Sequence, residues 1–120
     1  VQKLIHGDCL DIMKLIPSKS IDMILCDLPY GTTKCKWDFI IDPIEMWIQY
    51  ERIIKDNGAI VLTAQTPFDK FLGCSNLKLL KYEWIWEKSQ PTGHLNAKKM
   101  PMKAHENILI FYKNLPIYNP

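Results

Sequence analysis

The stretch Ile21 to Asp38, IDMILCDLPYGTTKCKWD, constrains the fold more than any other part of the chain. Ile21, Met23, Ile24, Leu25 and Cys26 form a nearly continuous apolar run, the pattern of a strand buried on both faces in a parallel sheet. The run stops at Asp27. Leu28-Pro29-Tyr30-Gly31 follows, and neither helix nor ladder passes through it. Pro29 lacks an N–H and has a fixed φ, it biases Leu28 towards an extended backbone, and Gly31 tolerates conformations that other residues avoid. The spacing therefore predicts a buried strand that delivers a carboxylate to the mouth of a sheet.

In open α/β sheets ligands bind in the crevice outside the carboxyl ends of the strands. There the motif would set an acceptor carboxylate (Asp27), a free backbone carbonyl (Leu28) and an aromatic face (Tyr30) close together. A planar molecule with an exocyclic amine suits these groups. Its amine donates one hydrogen bond to Asp27 and one to the Leu28 carbonyl, and its ring stacks on Tyr30. With both N–H bonds engaged, the nitrogen lone pair turns out of conjugation and the amine becomes a nucleophile.

Asp27-Leu28-Pro29-Tyr30 resembles the (Asp/Asn/Ser)-Pro-Pro-(Tyr/Phe) signature of amino-methylating DNA methyltransferases, which use S-adenosylmethionine to methylate adenine N6 or cytosine N4. His6-Gly7-Asp8-Cys9-Leu10, Gly31-Thr32-Thr33, Trp37-Asp38, Trp86-Glu87-Lys88 and His105-Glu106-Asn107-Ile108-Leu109 are similar to the same family, so the likeness covers most of the chain. The resemblance implies a permuted arrangement with the catalytic motif near the N-terminus, Asp27, Leu28, Pro29 and Tyr30 being catalytic. It makes Asp8, Cys9, Leu10 and Asp27 contacts to S-adenosylmethionine, and Thr32, Thr33 and Lys34 contacts to a nucleotide flipped from the duplex. Read without it, Asp8 is simply a helix cap, and the two roles are compatible. The chain departs from the family in two places. Leu28 stands where most members have proline, which preserves the carbonyl the family uses. No Phe-x-Gly-x-Gly loop, the family's site for the methionine end of the cofactor, occurs: the glycines at 7, 31, 58, 73 and 93 are isolated.

Along the chain, Lys3 to His6 reads as a short strand and Cys9 to Ile16 as a helix closed by Pro17-Ser18. Asp42-Pro43-Ile44-Glu45 starts a second helix, running to Lys55 and stopped by Asp56-Asn57-Gly58. Its stripe Ile44, Trp47, Ile48, Ile53 and Ile54 should lie on the sheet. Ala59 to Ala64 is a buried strand, Thr66 caps a helix with Pro67 in its first turn, and that helix ends by Asn76. Lys81 to Trp86 is a strand whose Tyr82, Trp84 and Trp86 form one well-packed face, and His105 to Lys113 is the last strand. The sum is an α/β sheet of about five strands, mostly parallel with an antiparallel hairpin at the end. The resemblance makes it a Rossmann-like class I methyltransferase sheet that is incomplete. The two cofactor-binding strands that would lie between the strand ending at Asp8 and the one ending at Asp27 are absent, leaving a gap. Residues 1–120 are thus expected to form a single partial catalytic domain, completed by a continuation of the chain or by a partner, which includes a dimer.

Lys88 to Ala104 lies in the longest stretch without an acidic residue. It reads as a loop over 89–104 in which Lys98, Lys99 and Lys103, with Lys88 at its edge, neutralise phosphates of double-stranded DNA while Gln90 and Asn96 read bases. The same lysines also suit an ordinary solvated loop. A net charge of +2 identifies no nucleic-acid protein by itself. Cysteines 9, 26, 35 and 74 lack CxxC spacing and histidines 6, 94 and 105 are scattered, so free thiols, no metal and a cytoplasmic location are expected. No apolar run approaches the ~20 residues of a membrane span. Adenine N6 is preferred over cytosine N4, where serine more often opens the motif. Two other readings compete: a protein glutamine methyltransferase, whose target is also an amide NH₂, and a decayed or split subunit that binds DNA without catalysis.

Overall fold

The computed structural model describes residues 1–120. The apolar run forms β1 (Ile21–Asp27), and it pairs in parallel with β2 (Ile54–Ala64). Between them lies α2 (Pro43–Ile53); α1 (Cys9–Met13) precedes β1, and α3 (Phe68–Ser75) follows β2. β3 (Leu80–Thr92) and β4 (Lys103–Phe111) form a long antiparallel hairpin, with a 3₁₀ turn at His94–Asn96 in its connection. β4 inserts antiparallel beside β2, which makes the strand order β1-β2-β4-β3.

Lys3 to His6 forms no strand and is exposed, so the sheet has four strands where about five were expected. The expected gap inside the sheet does not occur either: β1 is an edge. A strand persists only where a neighbour completes its ladder, and none of the four strands pairs with this segment.

Asp42 caps α2 by accepting a hydrogen bond from the Ile44 amide at 2.9 Å, with Pro43 opening the helix. The stripe facing the sheet is Met46, Trp47, Tyr50 and Ile53, whereas Ile44 and Ile48 of the expected stripe are exposed. Both stripes share Trp47 and Ile53, and the larger buried payload of Met46 and Tyr50 decides between them. Asp56-Asn57-Gly58 is not a stop. β2 begins at Ile54 immediately after the helix, and the three residues form a bulge, since Ile21 pairs with Ile54 but Met23 pairs with Ala59. A Cβ on Gly58 would lie 2.7 Å from the Ile54 side chain and 2.8 Å from the Asp22 carbonyl, so the bulge admits only glycine.

α1 stops at Met13 and α3 starts at Phe68. Thr66 makes no capping bond and instead meets the Lys70 ammonium at 3.5 Å. The β3–β4 ladder runs past Glu87↔His105 to Thr92↔Lys103 with an irregular register. Pro91, lacking an N–H, is accommodated on this edge strand, and the expected loop over 89–104 shrinks to residues 93–102.

The two sheet faces differ. The helices cover one, where Leu62, Ala64 and Phe111 are completely buried and Ile60 and Leu72 nearly so. At its margin Asp69, 4% exposed, accepts from Lys70 Nζ at 2.6 Å and from Asn107 Nδ2 at 3.3 Å, which ties α3 to β4. No helix covers the other face. Met23 and Leu25 of β1 and Tyr82 and Trp84 of β3 stand open there, with Leu115 to Tyr118 lying along a groove of about 940 Å³. β1 is therefore half-buried on one face and open on the other rather than buried on both, and the aromatic face of β3 is exposed rather than well packed.

Candidate active site

Because β1 and β2 are parallel, both deliver their last residues to the same rim, and the register places Thr63 opposite Asp27. The Thr63 hydroxyl donates to Asp27 Oδ1 at 2.5 Å. The Tyr30 hydroxyl lies 3.1 Å from that same oxygen and 3.1 Å from Thr63 Oγ1. Asp27 is exposed, and its second oxygen, Oδ2, receives no hydrogen bond from the chain.

Leu28 buries its side chain to 5% exposure and packs into the core, which anchors the turn. Its carbonyl accepts no hydrogen bond from the chain. The open carboxylate oxygen and the open carbonyl thus come from adjacent residues at one strand end. Tyr30 stacks one face on Phe68, with ring centroids 5.1 Å apart and 24° between planes. Burial pushes its phenol well above the ordinary value, with Asp27 and Glu106 adding to the effect and the Thr63 bond opposing it. Tyr30 is consequently a proton donor at any physiological pH.

The next loop is closed by Asp38. Its two carboxylate oxygens accept from the Gly31 amide at 2.8 Å and the Thr33 amide at 2.7 Å. The Thr33 side chain and these two amides hold the Asp38 carboxyl below its ordinary value. Gly31 has φ of 70°, a left-handed conformation that favours glycine. Thr32, Thr33 and Lys34 are exposed along the outer side of this loop.

Asp8 caps α1, accepting from the Leu10 amide at 2.9 Å and the Asp11 amide at 3.4 Å, both through Oδ1. Burial raises the Cys26 thiol, a bond with Tyr50 opposes that, and Cys9 is near enough to raise it further. Burial and Asp8 likewise push the Cys9 thiol up. Cys9 thus lies near Cys26, the residue before Asp27.

The four lysines of the hairpin divide. Lys88 sits 3.3 Å from Glu106 with both side chains mostly buried, and lies 5.2 Å over the Trp86 ring. Lys103 donates to the Thr66 carbonyl at 3.1 Å. Lys98 and Lys99 follow the 3₁₀ turn and are exposed. Sequence reasoning missed Thr63 and Phe68 as site residues, and singled out Asp38 and Glu106 only as part of the family likeness. The signal for Thr63 was available: it is the one polar side chain in the apolar run Ala59 to Ala64, at the end of a strand expected to lie parallel to β1. No helix is long and apolar enough to cross a membrane, and no group of three or more His, Cys, Asp or Glu side chains could hold a metal ion.

No family model matches this chain. It is 31% identical over 126 residues to the DNA adenine methyltransferase YhdJ of Escherichia coli (strain K12), an alignment covering 96% of this chain and 42% of that protein. It is 26% identical over 126 residues to the type II methyltransferase M1.MboII of Moraxella bovis, covering 95% of this chain and 47% of that one. These likenesses point to the amino-methylating DNA methyltransferase superfamily. The chain spans less than half the length of both superfamily relatives. The M1.HpyAVI–SAM complex superposes with a TM-score of 0.70 at 19% identity, covering 96% of this chain and 58% of that one. The mixed sheet flanked by helices accordingly resembles the class I, Rossmann-like methyltransferase fold of the superfamily.

Proposed function

We propose that this chain carries the amine-binding part of an S-adenosylmethionine-dependent methyltransferase that acts on a base in double-stranded DNA, with adenine N6 preferred over cytosine N4. One observation carries the reading: an exposed carboxylate, Asp27, has one oxygen tied to Thr63 and Tyr30 and the other open beside the unbonded Leu28 carbonyl. Two acceptors at adjacent residues match the two hydrogens of an exocyclic amine. The name of the E. coli relative, an adenine methyltransferase, supports the choice of base.

The cofactor assignment has support at one end. Asp8 holds α1 through Oδ1, leaving Oδ2 unengaged, and Cys9 beside it lies near Cys26, the residue before Asp27. These residues would hold the adenosine end of S-adenosylmethionine. The methionine end falls to residues outside this stretch, since its glycines are isolated and it spans less than half of its curated relatives. When bound, the cofactor supplies an electrophilic methyl group. Asp27 and the Leu28 carbonyl draw the amine hydrogens out of the base plane and so free the nitrogen lone pair from conjugation with the ring, while Pro29 holds the turn rigid. Tyr30, fixed by Phe68 behind it, offers its second face to the ring, and positioning is the main source of rate. The amine proton passes to solvent after transfer.

A base inside a duplex must leave the stack to reach this site. Thr32, Thr33 and Lys34 would contact the backbone of the flipped nucleotide. Lys98 and Lys99 would meet phosphates directly, and Lys88 and Lys103 would do so by exchanging their present partners, Glu106 and the Thr66 carbonyl. The test is transfer of labelled methyl from S-adenosylmethionine to mixed-sequence DNA by the full-length protein, followed by digestion to nucleosides. Label in N6-methyladenine is the expected result. Label only in N4-methylcytosine overturns the base preference, and label in protein or none at all overturns the reading.

A further inference from the structure

Thr63 was absent from every sequence argument, yet it makes the shortest contact at the site. We propose that Thr63 is a positioning residue for the amine-binding carboxylate, an inference that rests on the proposed methyltransferase reading and assigns the orientation of Asp27 to a side chain on the neighbouring strand. A carboxylate at a strand end rotates easily, because the last torsion of aspartate is broad and roughly two-fold. Unanchored, either oxygen could face the substrate at many angles. A threonine hydroxyl has a single proton, and the separation of 2.5 Å commits it to Asp27 Oδ1. Thr63 Oγ1 keeps its lone pairs and accepts from the Tyr30 hydroxyl at 3.1 Å, a proton that Asp27 Oδ1 shares at the same distance.

The three groups form a closed ring on one oxygen. That ring sets the plane of the carboxylate and leaves Oδ2 as the atom that meets the amine, at a spacing from the Leu28 carbonyl that does not drift. The register of the parallel pair makes this possible, since Asp27 and Thr63 are ladder partners on strands that both end at the rim. The adjacent residues cannot substitute: Leu62 and Ala64 are completely buried on the helix face.

Valine is nearly isosteric with threonine and lacks only the hydroxyl, so Thr63→Val removes the anchor, and Thr63→Ser restores it. In the full-length protein Thr63→Val should lower kcat for methyl transfer by about 10- to 100-fold, the effect of a misplaced reacting group. KM for DNA and affinity for S-adenosylmethionine should stay within about twofold, because neither ligand's binding depends chiefly on this bond. Thr63→Ser should recover most of kcat, and in an Asp27→Asn background Thr63→Val should add little further loss, since residues acting through one another are not additive. Wild-type kcat in Thr63→Val overturns the proposal. So does a loss of kcat that tracks a lowered melting temperature and is not restored by serine, which would mark a merely structural bond. A wild-type protein that transfers no methyl group overturns the underlying reading, and the positioning role falls with it.

Discussion

The turn after β1 and the hairpin connection between β3 and β4 each read from sequence as a working surface, and they are built in opposite ways. In the turn, the chain satisfies itself. Asp38 closes the loop through the Gly31 and Thr33 amides, Phe68 backs Tyr30, and Thr63 anchors Asp27. What remains open is one carboxylate oxygen and one carbonyl. In the hairpin, two of the four lysines that suggested a phosphate-binding loop are bound by the protein, Lys88 by Glu106 and Lys103 by the Thr66 carbonyl. A motif of proline, glycine and aspartate determines its own backbone through near neighbours. A run of lysines says only that charge is present, and its availability depends on what the fold brings opposite.

The largest expected effect tests the turn. Asp27→Ala should reduce methyl transfer by at least about 10²-fold, the scale of losing a principal group at a reacting centre. Wild-type turnover in that variant would break the contrast by removing the turn's function. Tyr30→Ala comes next. Base–aromatic stacking is worth roughly 1–3 kcal/mol per base, so binding of DNA with a mismatched, readily flipped target should weaken by about 10-fold or more in a titration that leaves fully paired DNA less affected.

A pH titration sharpens the comparison further. Asp38 must be ionised to accept both amides, and its folded carboxyl lies below its ordinary value. The closed loop is therefore at full strength above the usual carboxylate range and opens as pH falls through that depressed value. Amide NMR signals of Gly31 and Thr33 should report the opening, and in Asp38→Ala they should take the open position at every pH. Resonances indifferent to both changes would show that the loop does not depend on Asp38.

The smallest effect concerns the hairpin. If Lys98 and Lys99 are the lysines free to meet phosphate, replacing both with alanine should reduce the slope of log affinity against log salt by about 2. Lys88→Ala and Lys103→Ala should change the slope less. Equal slope changes at all four would mean that the bound lysines exchange partners readily, and the contrast between turn and hairpin would lose its basis.

Much of the fold was legible because its signals are local. Asp8 and Asp42 cap helices as their positions suggest, Pro29 ends a strand, and Ala59 to Ala64 is a strand buried at Ile60, Val61, Leu62 and Ala64. Other features depend on partners distant in sequence. Lys3 to His6 has a strand's composition and no ladder to join, while Asp56-Asn57-Gly58 has the composition of a stop and becomes a bulge because β1 lies alongside. The alternation of Tyr82, Trp84 and Trp86 correctly indicated a strand, but a periodic pattern cannot reveal whether anything covers the face it creates.

By itself the sequence determined a carboxylate, a carbonyl and an aromatic ring at the end of an apolar strand, since proline, glycine and side-chain periodicity act over a few residues. Tertiary structure alone decided which oxygen of Asp27 is open and which lysines are engaged. Those outcomes rest on contacts between strands and helices far apart in the chain, such as Thr63 with Asp27 and Lys103 with Thr66, and hydrogen bonds of that kind follow from register and packing rather than from local composition.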